Sequence, residues 1–80
     1  MNDERLFKFI LKCCRDHYKP DVHTFFIRIS EGRAYVECRE REVFIIFYYD
    51  GKPSVEWCGT PVAAANRLEK HGADIDTIDM

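Results

Sequence analysis

Cysteine and histidine gather between residues 13 and 23, as Cys13, Cys14, His17 and His23. Thiolate and imidazole are ligands of structural zinc, and residues three or four apart on a helix share one side of it. Cys13 with His17 and Cys14 with His17 have that spacing. Structural zinc, however, draws on paired, short-spaced ligands, and the chain contains no Cys-x-x-Cys. Cys13 and Cys14 also sit among apolar neighbours, where a free cysteine packs as a small hydrophobe. The expectation is no metal and no cofactor.

Cys58 is the second reactive candidate. It precedes Gly59 and an expected helix start, a position that lowers a thiol pKa. A nucleophile also needs a base, and the base needs a group that orients it. No histidine adjoins Cys58 in sequence, and His71 belongs at the far end of that helix, where the dipole favours a cation. The four glycines form no Gly-rich loop opening a helix, so no phosphate cradle is written here. The chain is expected not to be an enzyme.

These residues sit on a chain of 80, enough for a single domain spanning residues 1–80. Hydrophobic residues make up 46% and charged residues 32%, a globular composition. The net charge is −2. Residues 1–40 hold eight Lys/Arg and seven Asp/Glu (+1), and residues 41–80 hold four and seven (−3). With a pI near 5.9 and no dense cationic cluster, a nucleic-acid partner is disfavoured. No apolar run approaches the ~20 residues a membrane span needs, so no membrane partner is expected. Met1-Asn2-Asp3-Glu4-Arg5 lacks the features of a signal peptide, which points to a cytoplasmic location with reduced thiols.

Residues 3–18 have the period of an amphipathic helix. Leu6, Ile10, Cys13, Cys14 and their neighbours fill one broad sector, opposed by Glu4, Lys8, Lys12 and Arg15. Asn2 or Asp3 can cap it, and Lys19-Pro20 ends it. Four strands follow as a meander. Val22–Ser30 and Arg33–Cys38 flank Glu31-Gly32, pairing Ile29 with Ala34, Ile27 with Val36 and Phe25 with Cys38. Arg39-Glu40-Arg41-Glu42 is a turn or bend. Val43–Tyr49 and Ser54–Cys58 flank Asp50-Gly51, pairing Ile46 with Val55 and Phe44 with Trp57 as an apolar, inward face. Pro53 marks the last of these strands as an edge. Thr60, Pro61 and Gly72 bound a second helix that turns Val62, Ala64, Ala65 and Leu68 inward. Residues 73–80 read as a flexible acidic tail or a short added strand. The fold class is α+β, in the order α-β-β-β-β-α, as one two-layer domain with a four-stranded antiparallel meander.

That order is similar to the one used by double-stranded-RNA-binding domains, and Ala63-Ala64-Ala65 with Leu68 is similar to their last helix. The departure falls at Thr60-Pro61-Val62, where those domains carry lysines and this chain has no cation. An RNA or single-stranded nucleic-acid module is therefore kept only as an alternative, built on stacking by Tyr35, Phe47 or Tyr49. A small metal- or thiol-dependent protein is the other alternative. Leu68–Ile75 resembles the end of an ankyrin repeat, but a single such segment has no neighbour to stack on.

The segment Val43-Phe44-Ile45-Ile46-Phe47-Tyr48-Tyr49 is apolar on both faces, unlike a strand with one wet side. With Phe44 and Ile46 assigned inward, Val43, Ile45, Phe47 and Tyr49 become a second greasy stripe. Either the chain's own helices cover it or another molecule does. The site expectation is that this stripe, with Tyr35 and Glu56, binds a protein partner or a second copy as a homodimer. Phe47→Lys is then expected to weaken association and leave the fold intact. The functional expectation is a non-catalytic, cytoplasmic protein acting by protein–protein binding. Small inhibitors and adaptors encoded by phages or mobile elements take this form.

Overall fold

The computed structural model describes residues 4–15, 23–39, 42–49 and 51–79, with the side chains of Arg15 and Tyr49 outside that description. Helix α1 spans Glu4–Arg15, followed by β1 (His23–Ile29), β2 (Gly32–Cys38), β3 (Val43–Tyr49), β4 (Lys52–Cys58), helix α2 (Pro61–Lys70) and β5 (Asp74–Asp79). The expected helix end at Lys19-Pro20, the caps Asn2 and Asp3, and Val22, Glu40, Arg41 and Asp50 lie outside the described residues, as does His17. The chain is α+β, with two helices and one antiparallel sheet in the order β4-β3-β2-β1-β5.

The sheet has five strands where four were expected. The fifth comes from the supposed acidic tail, and the end of α2 explains how. The Thr60 hydroxyl accepts from the Ala63 N–H at 3.1 Å, and Pro61 supplies the first helical φ. At the other end Gly72 takes φ +74°, the left-handed conformation a side chain resists. Its N–H then reaches the Glu69 carbonyl and the Ala73 N–H reaches Leu68, closing the helix and reversing the chain. The reversed segment runs antiparallel along β1, whose outer edge would otherwise leave backbone groups unpaired. A register shift between Phe26 and Arg28 is bridged by Thr77, whose hydroxyl accepts from the Arg28 N–H at 3.0 Å. Ile75 and Ile78 pack against the core, and Arg5 meets Asp76 at 3.3 Å.

The β1–β2 hairpin turns at Ser30-Glu31, one position earlier than the expected Glu31-Gly32. Ile29 pairs with Gly32, Ile27 with Ala34 and Phe25 with Val36, a register displaced by two from the expected pairs. A tertiary tether accounts for it: the Ser30 N–H donates to the His71 carbonyl at 2.7 Å. A slip of two preserves which side chains share a face. The β3–β4 register is the expected one, with Ile46 opposite Val55 and Phe44 opposite Trp57. β4 is an edge strand, as Pro53 implied, and β3 is internal.

Both helices lie on one face of the sheet and pack on each other. From α1, Leu6, Ile10, Cys13 and Cys14 enter the core, and the Phe9 ring meets Phe25 edge-on at 5.0 Å. From α2 come Ala64, Ala65 and Leu68, small enough to bring the helix close to β3 and β4. The sheet contributes Phe25, Ile27 and Ile29, then Ala34, Val36 and Cys38, then Val43, Ile45 and Phe47.

Candidate functional site

The structure reverses the assignment of the two faces of β3. Val43, Ile45 and Phe47, expected to meet a partner, are each 0% exposed beneath the helices, with the Phe47 ring 4.2 Å from the His71 imidazole. They are core and present no surface. Of the other residues assigned to that site, Glu56 lies on the same helix-covered side, and the Tyr49 side chain is outside the described residues. Tyr35 alone stands on the open face, half-buried. Phe47→Lys would bury a charge and unfold the domain.

The physical reason is the register between β2 and β3. The four-residue connection Arg39–Glu42 closes on Cys38 paired with Val43, and directly paired residues share a face. Cys38, Ala34 and Val36 point to the helices, so Val43, Ile45 and Phe47 do too. The misleading signal came from β4, whose hydrophobic pattern is inverted. Its apolar Val55 and Trp57 face solvent at 63% and 62% exposure. Its Glu56 faces the helix layer, where the Arg67 guanidinium of α2 binds it through two hydrogen bonds of 2.6 Å each. That guanidinium, chiefly by hydrogen bonding, holds the Glu56 carboxyl below its ordinary range.

The open face of the sheet therefore joins Tyr35, named with the partner stripe, to Phe44, Ile46, Val55 and Trp57, which sequence reasoning placed in the core. Across the strands they fall into three rows set by the registers. The middle row runs Asp79, Phe26, Tyr35, Ile46, Val55. One step toward the β1–β2 turn lie Asp74, Arg28, Arg33, Tyr48 and Pro53, and one step the other way Thr24, Glu37, Phe44 and Trp57. Seven of these side chains are aromatic or large aliphatic, and they adjoin one another across β1 to β4.

Several of them are held in place. The Phe26 and Tyr35 rings pack at 5.2 Å, and the Arg33 guanidinium lies 5.2 Å over Phe26. The Arg39 guanidinium covers the Phe44 ring at 5.0 Å while bonding Glu37 at 3.0 Å. The Trp57 indole N–H donates to a Glu42 carboxylate oxygen at 2.7 Å. Its ring lies over Gly59, where a Cβ would come within 3.1 Å of it. Trp57 is thus both exposed and oriented, a combination that lowers the entropic cost of a contact.

The cysteines lie on the helix-covered side of the sheet. All four cysteines are free and buried. The Cys38 thiol is hydrogen-bonded with Cys13 and Cys14, and those bonds, the Cys13 one foremost, together with burial push it far up. Burial raises Cys14, and burial followed by the Glu56 charge raises Cys58, against any lowering by the helix start. At Cys14, Cys38 and Cys58 these effects favour the thiol over the thiolate that nucleophilic attack uses. Among the described residues no three metal-binding side chains are placed to hold an ion. No helix among them is long and apolar enough to cross a membrane.

An open aromatic sheet face, opposite a helix-covered core that holds the thiols, is the distinguishing feature of this chain, which matches no family model, no curated protein and no solved structure.

Proposed function

We propose that this chain is a non-catalytic binding domain that docks another polypeptide on the open face of its sheet. The observation that carries the reading is the inversion of β4, which turns Val55 and Trp57 outward and keeps Glu56 inward on a dedicated arginine. Folding alone favours the opposite arrangement, since burying a valine and a tryptophan is worth about 1.5–3 kcal/mol each or more. Breaks of this kind between local pattern and fold concentrate at functional surfaces. Contiguous apolar area edged by charge is the composition of recognition patches, and tryptophan and tyrosine dominate their energetics. Small inhibitors and adaptors work through such a surface on a rigid scaffold.

A single-stranded nucleic acid would use the same rings for stacking. It would also need cations along a backbone track. The open face offers Arg28, Arg33 and Arg39 against Glu37, Glu42, Asp74 and Asp79, so a polyanion is repelled as much as attracted.

The test is capture from a lysate of the native host by immobilised protein, read by mass spectrometry. Wild type should retain a discrete protein that Trp57→Lys and Val55→Lys both lose. Lys8→Glu, on the exposed side of α1, should retain it. Identical captures by all of these proteins, or retention that follows Arg33 and salt on a heparin column, would remove the reading.

A further inference from the structure

Resting on the docking face proposed above, we infer that its occupant is a second copy of this chain, bound face to face about a two-fold axis lying along the middle row. The inference rests on how the three rows relate to one another. A two-fold operation that brings two sheets face to face has its axis in the plane of the interface, and the strands leave two simple choices. An axis parallel to the strands lays the row containing Arg28 and Arg33 over itself in reverse order, which, centred on β2, sets Arg33 on Arg33. An axis across the strands, along Phe26-Tyr35-Ile46-Val55, exchanges the outer two rows.

The second choice is complementary across β2 to β4, while at the β5 edge the exposed Asp79 meets its own equivalent. Each middle-row residue meets its own equivalent, so an apolar belt of Phe26, Tyr35, Ile46 and Val55 seals on itself at the axis. Arg33 of one copy comes over Glu37 of the other, Tyr48 over Phe44, and Pro53 over Trp57. One step beyond the printed β2–β3 pairs places Arg33 level with Tyr48, which fixes these correspondences. Apart from Asp79, the charges at the two ends of the strands match as well. Asp74, Arg28 and Arg33 sum to +1, and Glu37, Arg39 and Glu42, at the other ends of the strands, sum to −1.

The groups needed for this are present with ion-pairing capacity to spare. Arg28 and Arg33 lie side by side across β1 and β2, a like-charge pair that destabilises a sheet unless something neutralises it. Among the described residues, neither guanidinium has a carboxylate within ion-pair distance. Glu37 receives Arg39 through Oε2 alone, which leaves Oε1 to accept from a second arginine. Four strands of seven residues and one of six, about 4.8 Å apart, present roughly 24 Å by 24 Å, so two copies cover more than the ~1,000 Å² of a specific interface. The right-handed twist of each sheet lets two such faces pack with their strands nearly aligned.

Sedimentation equilibrium over a concentration series tests the inference. Wild type should form a dimer at micromolar concentration, with no larger species because the operation closes. Arg33→Glu and Glu37→Arg should each raise the dissociation constant at least tenfold, and the double exchange should restore it to within about threefold. Val55→Lys, facing its own copy at the axis, should give monomer. Circular dichroism of each variant separates dissociation from unfolding. A wild type that stays monomeric to about 1 mM, where association is worth only some 4 kcal/mol, overturns the dimer. So does a double exchange that adds the two losses together. If that monomer still captures a lysate protein through Trp57, the docking face stands and only its occupant was misassigned. If it captures nothing, both readings fall. Salt-sensitive binding of a single-stranded oligonucleotide that requires Arg33 would also replace the dimer.

Discussion

On its helix side β3 presents Val43, Ile45 and Phe47; on its open side it presents Phe44, Ile46 and Tyr48. The two sets are close in size and hydrophobicity, yet one is fully buried and the other half-buried or exposed. Their neighbours make the difference. The inner set is flanked by Ala34, Val36 and Cys38 on β2 and roofed by Leu68, Ala64 and Ala65 of α2. The outer set is flanked by Tyr35 on one side and by Val55 and Trp57 on the other, with arginine side chains laid over some of the rings. Burial in this domain follows the partner layer rather than the side chain. The helices cover one face, and no further element among the described residues covers the second.

The contrast can be broken most sharply at the inner face. Phe47→Ala removes a ring from beneath α2 and should cost about 3–5 kcal/mol, most of the stability of so small a domain. The urea midpoint should collapse, whereas Tyr48→Ala, one position along on the outer face, should move it little. Next in size is Gly72→Ala. It forces a left-handed φ on alanine and drives a Cβ into the Ser30 hydroxyl, so about 1–2 kcal/mol should be lost in thermal melts. A larger loss there than at Phe47 would mean that the α2–β5 reversal, not the core layer, governs the fold.

A smaller effect is expected where the faces were exchanged at β4. Because Arg67 depresses the folded-state pKa of Glu56, the pair stabilises the fold above the ordinary glutamate pKa of about 4.5. That contribution fades as pH falls through the lower folded value, when the carboxylate takes up a proton. Glu56→Gln should therefore flatten the acid limb of stability against pH. At neutral pH it should cost about 0.5–1 kcal/mol, since both partners are partly exposed. The smallest effect belongs to Val55→Ser, within about 0.5 kcal/mol in dilute solution, because the side chain is already in water. A large loss there at low concentration would show that the outer face is needed for the monomer's own fold.

Much of the scaffold is legible in the residues. Thr60-Pro61 and Gly72 mark the two ends of α2 because capping and a left-handed terminus are local requirements of the backbone. The β3–β4 register expected from Asp50-Gly51 is the observed one. Both were expected, and both stand in the structure. The face assignment was legible in principle: Cys38 points inward and a four-residue turn closes it on Val43. It was overridden by Val55 and Trp57, read as core on the rule that apolar residues go inside. That rule fails at an edge strand whose inward glutamate is satisfied by an arginine eleven residues further along the chain. The fifth strand was legible only as a possibility, since Asp74–Asp79 has neither length nor composition to commit to a strand by itself.

Local chemistry along the chain determined two helices, four of the strands, the β3–β4 register and the edge position of β4, because caps, prolines and glycines act over a few residues. Which side of the sheet the helices cover, whether the last residues join β1, and which greasy stripe is left in water were decided by tertiary packing. Those choices depend on contacts between segments far apart in the chain, such as Arg67 with Glu56 and Ser30 with His71, and nearest-neighbour pattern carries no record of them.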